Sequence, residues 1–126
     1  MRDFRGLSVW EKAHRLTLGI DRETRTFPPE ERYGVTAQIR RAVGSIPTNI
    51  AEGCGRESDR EVARFMMIAA GSASETQYLL FLARGLGYLE KHMYPELNDR
   101  VTEIRRMLNG FVQFLRLNRW NQRAKT

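Results

Sequence analysis

The segment from Gln38 to Arg56, QIRRAVGSIPTNIAEGCGR, writes an apolar helical stripe and sets a proline inside it. Ile39, Val43, Ile46 and Ile50 recur at spacings of three and four, which is one face of a helix. Pro47 falls within that stripe. It has no backbone N–H and its ring crowds the carbonyl four residues back, so the helix must kink or that carbonyl must be satisfied from elsewhere. Ser45, Asn49 and Glu52 flank the proline. Their hydroxyl, amide and carboxylate can bond the groups that Pro47 leaves without a partner, or can point at a ligand. Buried polar groups normally find protein partners, so the structural role is the expectation. A segment built this way identifies a fold and not a reaction.

Four helical segments are read with short breaks between them, over residues 8–26, 29–53, 59–87 and 95–119. The first opens near Ser8, carries Val9, Ala13, Leu16 and Ile20 on one face, and stops at Phe27-Pro28-Pro29. Pro28 and Pro29, followed by Glu30 and Glu31, start the second with acids in its first turn. Ser58-Asp59-Arg60-Glu61 is a capping-box pattern. It opens a third helix with the stripe Val62, Phe65, Ala69, Ala73, Thr76, Leu80 and Ala83. At 1.5 Å rise per residue that helix spans roughly 42 Å, so its partners must be long too. Gly85, Gly87, Lys91 and His92 mark a turn, and Pro95 begins the fourth helix. Its stripe is Leu97, Val101, Ile104, Leu108, Phe111 and Leu115, spaced for helices packed at about 20°. The reading is one all-α domain over residues 1–126, without repeats or linkers.

Phe27 to Arg56, preceded by LSVWEKAHRL (Leu7 to Leu16) and followed by RFMMIAAGSASE (Arg64 to Glu75), resembles the four-helix bundle proteins of the intervening-sequence type. That family includes proteins encoded within intervening sequences of bacterial large-subunit ribosomal RNA genes. It is related to the accessory variability determinant of diversity-generating retroelements. The likeness runs from about Phe4 to Tyr88 in one uninterrupted order. It implies an antiparallel up-down four-helix bundle that assembles into a homopentameric barrel. It also implies a basic surface that contacts nucleic acid and, in retroelement members, a reverse transcriptase.

Composition bounds the function independently. At 41% apolar residues the chain can build a core. No run approaches the roughly 18 apolar residues of a membrane span, and Met1-Arg2-Asp3-Phe4 does not lead into a signal peptide, so the expectation is a cytoplasmic protein with no membrane partner. The single cysteine, Cys54, lacks a disulfide partner and the Cys and His neighbours of a zinc site; a small residue at a helix end explains it. His14 follows Glu11 at the Glu-x-x-His spacing of di-iron bundles, but the second motif and further carboxylates are missing, so no metal is expected. Gly53-Cys54-Gly55 ends a helix and does not follow a strand, which removes the phosphate-loop reading. No enzyme class and no cofactor is indicated.

Charge is segregated. Residues 1–103 hold 15 Lys and Arg against 15 Asp and Glu, whereas residues 104–126 hold six basic residues and no acid, so the whole +6 lies at the C-terminal end. Arg105 and Arg106 sit on the fourth helix, and Arg116, Arg119, Arg123 and Lys125 continue past its apolar stripe around Trp120. Basic groups interleaved with an aromatic and amides can neutralise phosphates and stack on a base. A solvated helix end in an arginine-rich chain is the alternative. Arg40 and Arg41 lie about 100° apart on the second helix, so at least one leaves the core face. Either can bind phosphate or pair with Glu52, Glu75 or an acid of a neighbouring subunit. Glu75, beside Gly71, Ser72 and Ser74 on the third helix, can accept from Asn49 or Arg40.

The expected function is a non-enzymatic basic scaffold for RNA or DNA, with a possible protein partner such as a reverse transcriptase. The alternative is a structural protein-interaction module without nucleic acid. A small-molecule enzyme built around Asn49, Glu52 and Glu75 is the remotest reading. Trp10, Phe81, Phe114 and Trp120 fall beyond the inner stripes, and such apolar surface marks a self-association interface.

Overall fold

The Ser58 hydroxyl lies 3.2 Å from the Glu61 amide and serves one of the N–H groups that open a helix without a partner. This is the Ser58 half of the expected capping box. A computed structural model describes residues 3–124, and the side chains of residues 3–118. Those residues form four α-helices and no strand: α1 (Ser8–Glu23), α2 (Val35–Cys54), α3 (Asp59–Gly85) and α4 (Met93–Ala124). Single 3-10 turns lie at Phe4–Gly6, Thr24–Thr26 and Pro29–Glu31.

The helix ends differ from the sequence reading for local reasons. The first helix tightens after Glu23, where the buried Thr24 hydroxyl donates back to the Ile20 carbonyl at 2.8 Å, a bond that competes with the helix ladder. The second begins at Val35 and not at Pro29. Pro29–Glu31 does form a turn, but Gly34 leaves helical geometry (φ −105°, ψ −119°). That turn is tied instead to the α3–α4 connection: Tyr88 donates its phenol to Glu31 Oε2 at 2.9 Å, and Phe27 meets the Tyr88 ring at 5.4 Å. The hydrogen bond that the Tyr88 phenol donates to Glu31 holds it above its ordinary pKa. The third ends at Gly85, and Gly87, at φ +79°, takes the left-handed position. There the Gly87 amide reaches Arg84 O at 3.0 Å and the Tyr88 amide reaches Ala83 O at 2.9 Å. The fourth starts two residues before Pro95, which stands in the first turn where its missing N–H has no partner to lose.

One continuous core joins the four helices. The stripes Val9–Ala13–Leu16–Ile20 and Ile39–Val43–Ile46–Ile50 are wholly buried. Alanines at 63, 69, 73 and 83 of α3 keep that face low, and α2 comes so close at Gly53 that a Cβ there would meet Phe65 Cβ at 2.9 Å. On α4 the core residue is Val112, with Phe111 only half-buried, a one-residue drift from the expected stripe. Contacts between chain-adjacent helices run in opposite order. Arg40 meets Asp21 and Val43 meets Thr17; Ser45 meets Ser72 and Gly53 meets Phe65; Gln77 meets Asn98 and Asp59 meets Asn118.

α2 continues through the buried Pro47 as one helix. The carbonyl that Pro47 deprives of its donor is that of Val43, four residues back. The hydroxyl of Thr17 on α1 lies 3.2 Å from it and 2.8 Å from the Ala13 carbonyl, so one proton serves both acceptors. This corrects the expectation that Ser45, Asn49 and Glu52 serve that carbonyl. Asn49 Nδ2 donates to Ser45 O at 2.8 Å and Ser45 Oγ at 2.9 Å, and Ser45 Oγ meets Ser72 Oγ at 2.9 Å across the α2–α3 seam. Glu52 is exposed and pairs with Arg56 at 3.7 Å.

Candidate nucleic-acid interface

α3 and α4 hold each other through polar side chains as well as through the core. Gln77 donates from Nε2 to Asn98 Oδ1 at 2.9 Å and to Thr102 Oγ1 at 3.1 Å, and accepts at Oε1 from Arg105 Nη1 at 3.0 Å. Arg105 is therefore half-buried and committed to the seam, where its aliphatic stem packs while its head is held. Asn118 closes the same seam at its far end, donating to Asp59 Oδ2 at 3.1 Å.

Beyond those bonds α4 presents cations with no acid to neutralise them. Arg106 is exposed and makes no hydrogen bond or ion pair among the described residues. Arg116 is exposed and donates from Nη2 to Met67 Sδ at 3.1 Å, a neutral acceptor that leaves its charge uncompensated. Arg119, Trp120 and Arg123 continue along α4, and their side chains lie outside the described residues, as does all of Lys125.

The sequence reading missed two members of this surface. Arg60 and Arg64 stand one turn apart on α3, and neither makes a hydrogen bond or ion pair among the described residues. With Arg116, Asp59, Glu61, Ala63, Met67 and Leu115 they line an open cavity of about 480 Å³ where the start of α3 meets α4. The signal was present as Arg60, Arg64 and Met67 at i, i+4 and i+7, one helix face.

Two expected sites do not join this surface. Arg40 belongs to the α1–α2 seam, with Nε on Thr24 Oγ1 at 2.9 Å, Nη2 on Asp21 O at 3.3 Å and the Asp21 carboxylate at 3.5 Å. It pairs with Asp21 and with neither Glu52 nor Glu75. Arg41 is exposed on the outside of α2. Glu75 is exposed on α3 and accepts from neither Asn49 nor Arg40, because Asn49 is turned to Ser45 and Arg40 to α1. Ser45, Pro47 and Asn49 come together as a structural unit, and neither Glu52 nor Glu75 bonds to it among the described residues. Cys54 is buried at the end of α2. His14 stacks on Trp10 at 5.0 Å with ring planes 6° apart, and Phe4 meets Trp10 edge-on at 4.9 Å. Trp10 is thereby half-buried against the core and is not part of an exposed apolar patch.

The apolar surface that does remain is concentrated on α3 and α4. Met67, Tyr78, Phe81, Phe114 and Leu117 are each about half exposed, at 46, 60, 56, 59 and 60%. On α3, Met67, Gly71, Ser74, Tyr78 and Phe81 follow one another at spacings of four, three, four and three, an outward seam opposite the core stripe. Among the described residues no helix is long and apolar enough to cross a membrane, and no three His, Cys, Asp or Glu side chains group as metal ligands.

Comparison with known proteins bears on this arrangement in three ways. No curated protein matches the chain. The crystal structure of a protein of unknown function from the S23 ribosomal protein family of Bacteroides thetaiotaomicron VPI-5482 is 26% identical to it. The two superpose with a TM-score of 0.77, over 83% of this chain and 95% of that one. The model of the 23S rRNA-intervening sequence proteins matches residues 5–110, which takes in all of α1, α2 and α3 and the first half of α4, and the chain belongs to that family.

Proposed function

We propose that the protein is a non-enzymatic scaffold that binds single-stranded nucleic acid through the C-terminal part of α4 and the adjoining start of α3. The observation that carries this reading is charge segregation. All of the net +6 falls after residue 103, and the cations at that end whose side chains are described, Arg105, Arg106 and Arg116, form no ion pair among the described residues. Unneutralised arginines on a regular helix raise the local potential and attract a polyanion. Its working place is the cytoplasm. Filter retention of a single-stranded RNA tests it: retention at about 50 mM salt and release at about 200 mM is expected, and no retention at either salt overturns it.

The helices are proposed to form an antiparallel up-down bundle, in keeping with the reversed contact order between neighbours, and the bundles to assemble into a homopentamer. The pentameric number rests on the family resemblance; the case for self-association rests on the exposed seam from Met67 to Phe81 and on Phe114 and Leu117. Five copies of a +6 end in one ring would make a concentrated field. That same apolar seam favours a second reading, a protein-interaction module whose charge serves solubility. A reverse transcriptase as the protein partner rests on the resemblance alone. Light scattering at micromolar protein decides the assembly: a monomeric mass sinks it.

A further inference from the structure

The cavity at the start of α3 carries more than the tail does. Its walls are of three kinds. Arg60 and Arg64 from α3 and Arg116 from α4 converge on it without an ion pair among the described residues; Ala63, Met67 and Leu115 give it an apolar side; Asp59 and Glu61 give it carboxylate acceptors. Two arginines at i and i+4 repel one another, and a third faces them across the seam, so the arrangement is unfavourable until an anion enters. Acids are at hand but are not used for this. Asp59 is turned to Asn118 at 3.1 Å, and Glu61 forms no ion pair with either arginine. The volume, about 480 Å³, lies within the range of about 300–1,000 Å³ that small-molecule sites occupy.

We propose that this cavity seats one nucleotide of the bound strand, an inference that rests on the nucleic-acid reading above. Its phosphate lies on Arg60, Arg64 and Arg116. Its base is splayed from the strand onto Met67 and Leu115, and Glu61 accepts from a base N–H, the N3–H in the case of uracil. Single strands are recognised in this way, by unstacked bases laid on apolar or guanidinium surfaces with their edges hydrogen-bonded. A simple phosphate site would have no use for the Glu61 carboxylate, and an apolar peptide site would have none for the three arginines. A nucleotide uses all three walls. Arg116 is the hinge of the arrangement, because its contact with Met67 Sδ at 3.1 Å already brings the cationic and apolar walls together.

The test uses the full chain and a fluorescein-labelled oligouridylate of about 12 nucleotides, a length within known single-strand site sizes. Anisotropy is read at several salt concentrations for wild type, for Arg60→Gln with Arg64→Gln, and for an equal-charge control, Arg22→Gln with Arg32→Gln, whose residues lie outside the cavity. All four positions are exposed, so unchanged melting curves are expected. The seat requires the first pair to weaken binding at least tenfold and to lower the log–log salt slope by up to about 0.7, the release from the one seated phosphate, with a much smaller change for the control. Equal losses for the two pairs would mean net charge alone matters and would overturn the seat while leaving the nucleic-acid reading intact. A wild type that does not bind at any salt would overturn both. Placement of the base is read separately by irradiating a 4-thiouridine oligomer. Cross-links within residues 59–67 or at 115–116 are expected, and cross-links confined to residues beyond 118 would overturn the seat.

Discussion

The α1–α2 pair and the junction of α3 with α4 treat arginine differently. Along α1 and α2 several cations are answered, Arg15 by Glu11 at 2.7 Å, Arg25 and Arg40 by Asp21 at 3.2 and 3.5 Å, Lys12 by Glu103 of α4 at 2.9 Å, while Arg22 and Arg41 stand apart and form no ion pair among the described residues. Where α3 begins and α4 runs on, Arg60, Arg64, Arg106 and Arg116 form no ion pair among the described residues. Exposed pairs of the first kind contribute little to stability, typically about 0–1 kcal/mol, but they cancel charge and leave a surface with no long-range preference. Cations of the second kind have no acid paired with them to cancel their charge and keep their field for a partner. The difference teaches that arginine count says little about function here; the pairing of each arginine says more.

That contrast can be broken by substitution. The largest expected effect lies within the structural region. Thr17→Val removes the hydroxyl within reach of the Val43 carbonyl under Pro47, and should cost about 1–3 kcal/mol in denaturant melts, the usual cost of stranding a buried acceptor. Arg40→Met, which deletes the bonds to Thr24 and Asp21, should cost up to about 1 kcal/mol and leave RNA retention unchanged; lost retention would place Arg40 in the interface after all. At Tyr88 the effect is confined to alkaline pH. Its phenol is raised in the folded state, so the Glu31 contact contributes below the ordinary tyrosine pKa and is lost as pH climbs through the raised value. Wild type should therefore lose melting temperature above about pH 10 more steeply than Tyr88→Phe. The smallest effect has the opposite sign. Arg64→Gln relieves repulsion with Arg60, so stability should stay within about 0.5 kcal/mol and shift upward if at all; a clear loss would reveal a structural role for that guanidinium.

Much of this molecule is legible in its sequence because helices write their burial as periodicity. The stripes of α1 and α2 are legible residue for residue, and Ser58 marks where α3 begins, while its end falls at Gly85, two residues before the expected 87. What escaped was tertiary. Thr17 serves Val43 across 26 residues of chain, a pairing that only the packing of α1 on α2 creates. The turn at Pro29–Glu31 carries every helix-start signal, and it stops short because Tyr88, 57 residues from Glu31, holds it to another connection. Phe111 was placed in the core on a spacing of 3.5 residues, whereas a straight helix of 3.6 drifts by about 20° per heptad and turns Val112 inward instead. The candidate interface shows the same division. Charge segregation made Arg106 and Arg116 visible, but the cavity that adds Arg60 and Arg64 exists only where α3 and α4 meet.

The central claim is that the unanswered cations at the α4 end exist for phosphates. It is tested most directly by the salt dependence of single-stranded RNA binding for wild type and for a variant with Arg116, Arg119, Arg123 and Lys125 all changed to Gln. The wild-type affinity should fall with a log–log slope of about 0.7 for each phosphate neutralised, and the variant should bind more weakly with a visibly flatter slope. Equal slopes for the two proteins would contradict the claim and leave those four residues as a means of keeping the protein in solution.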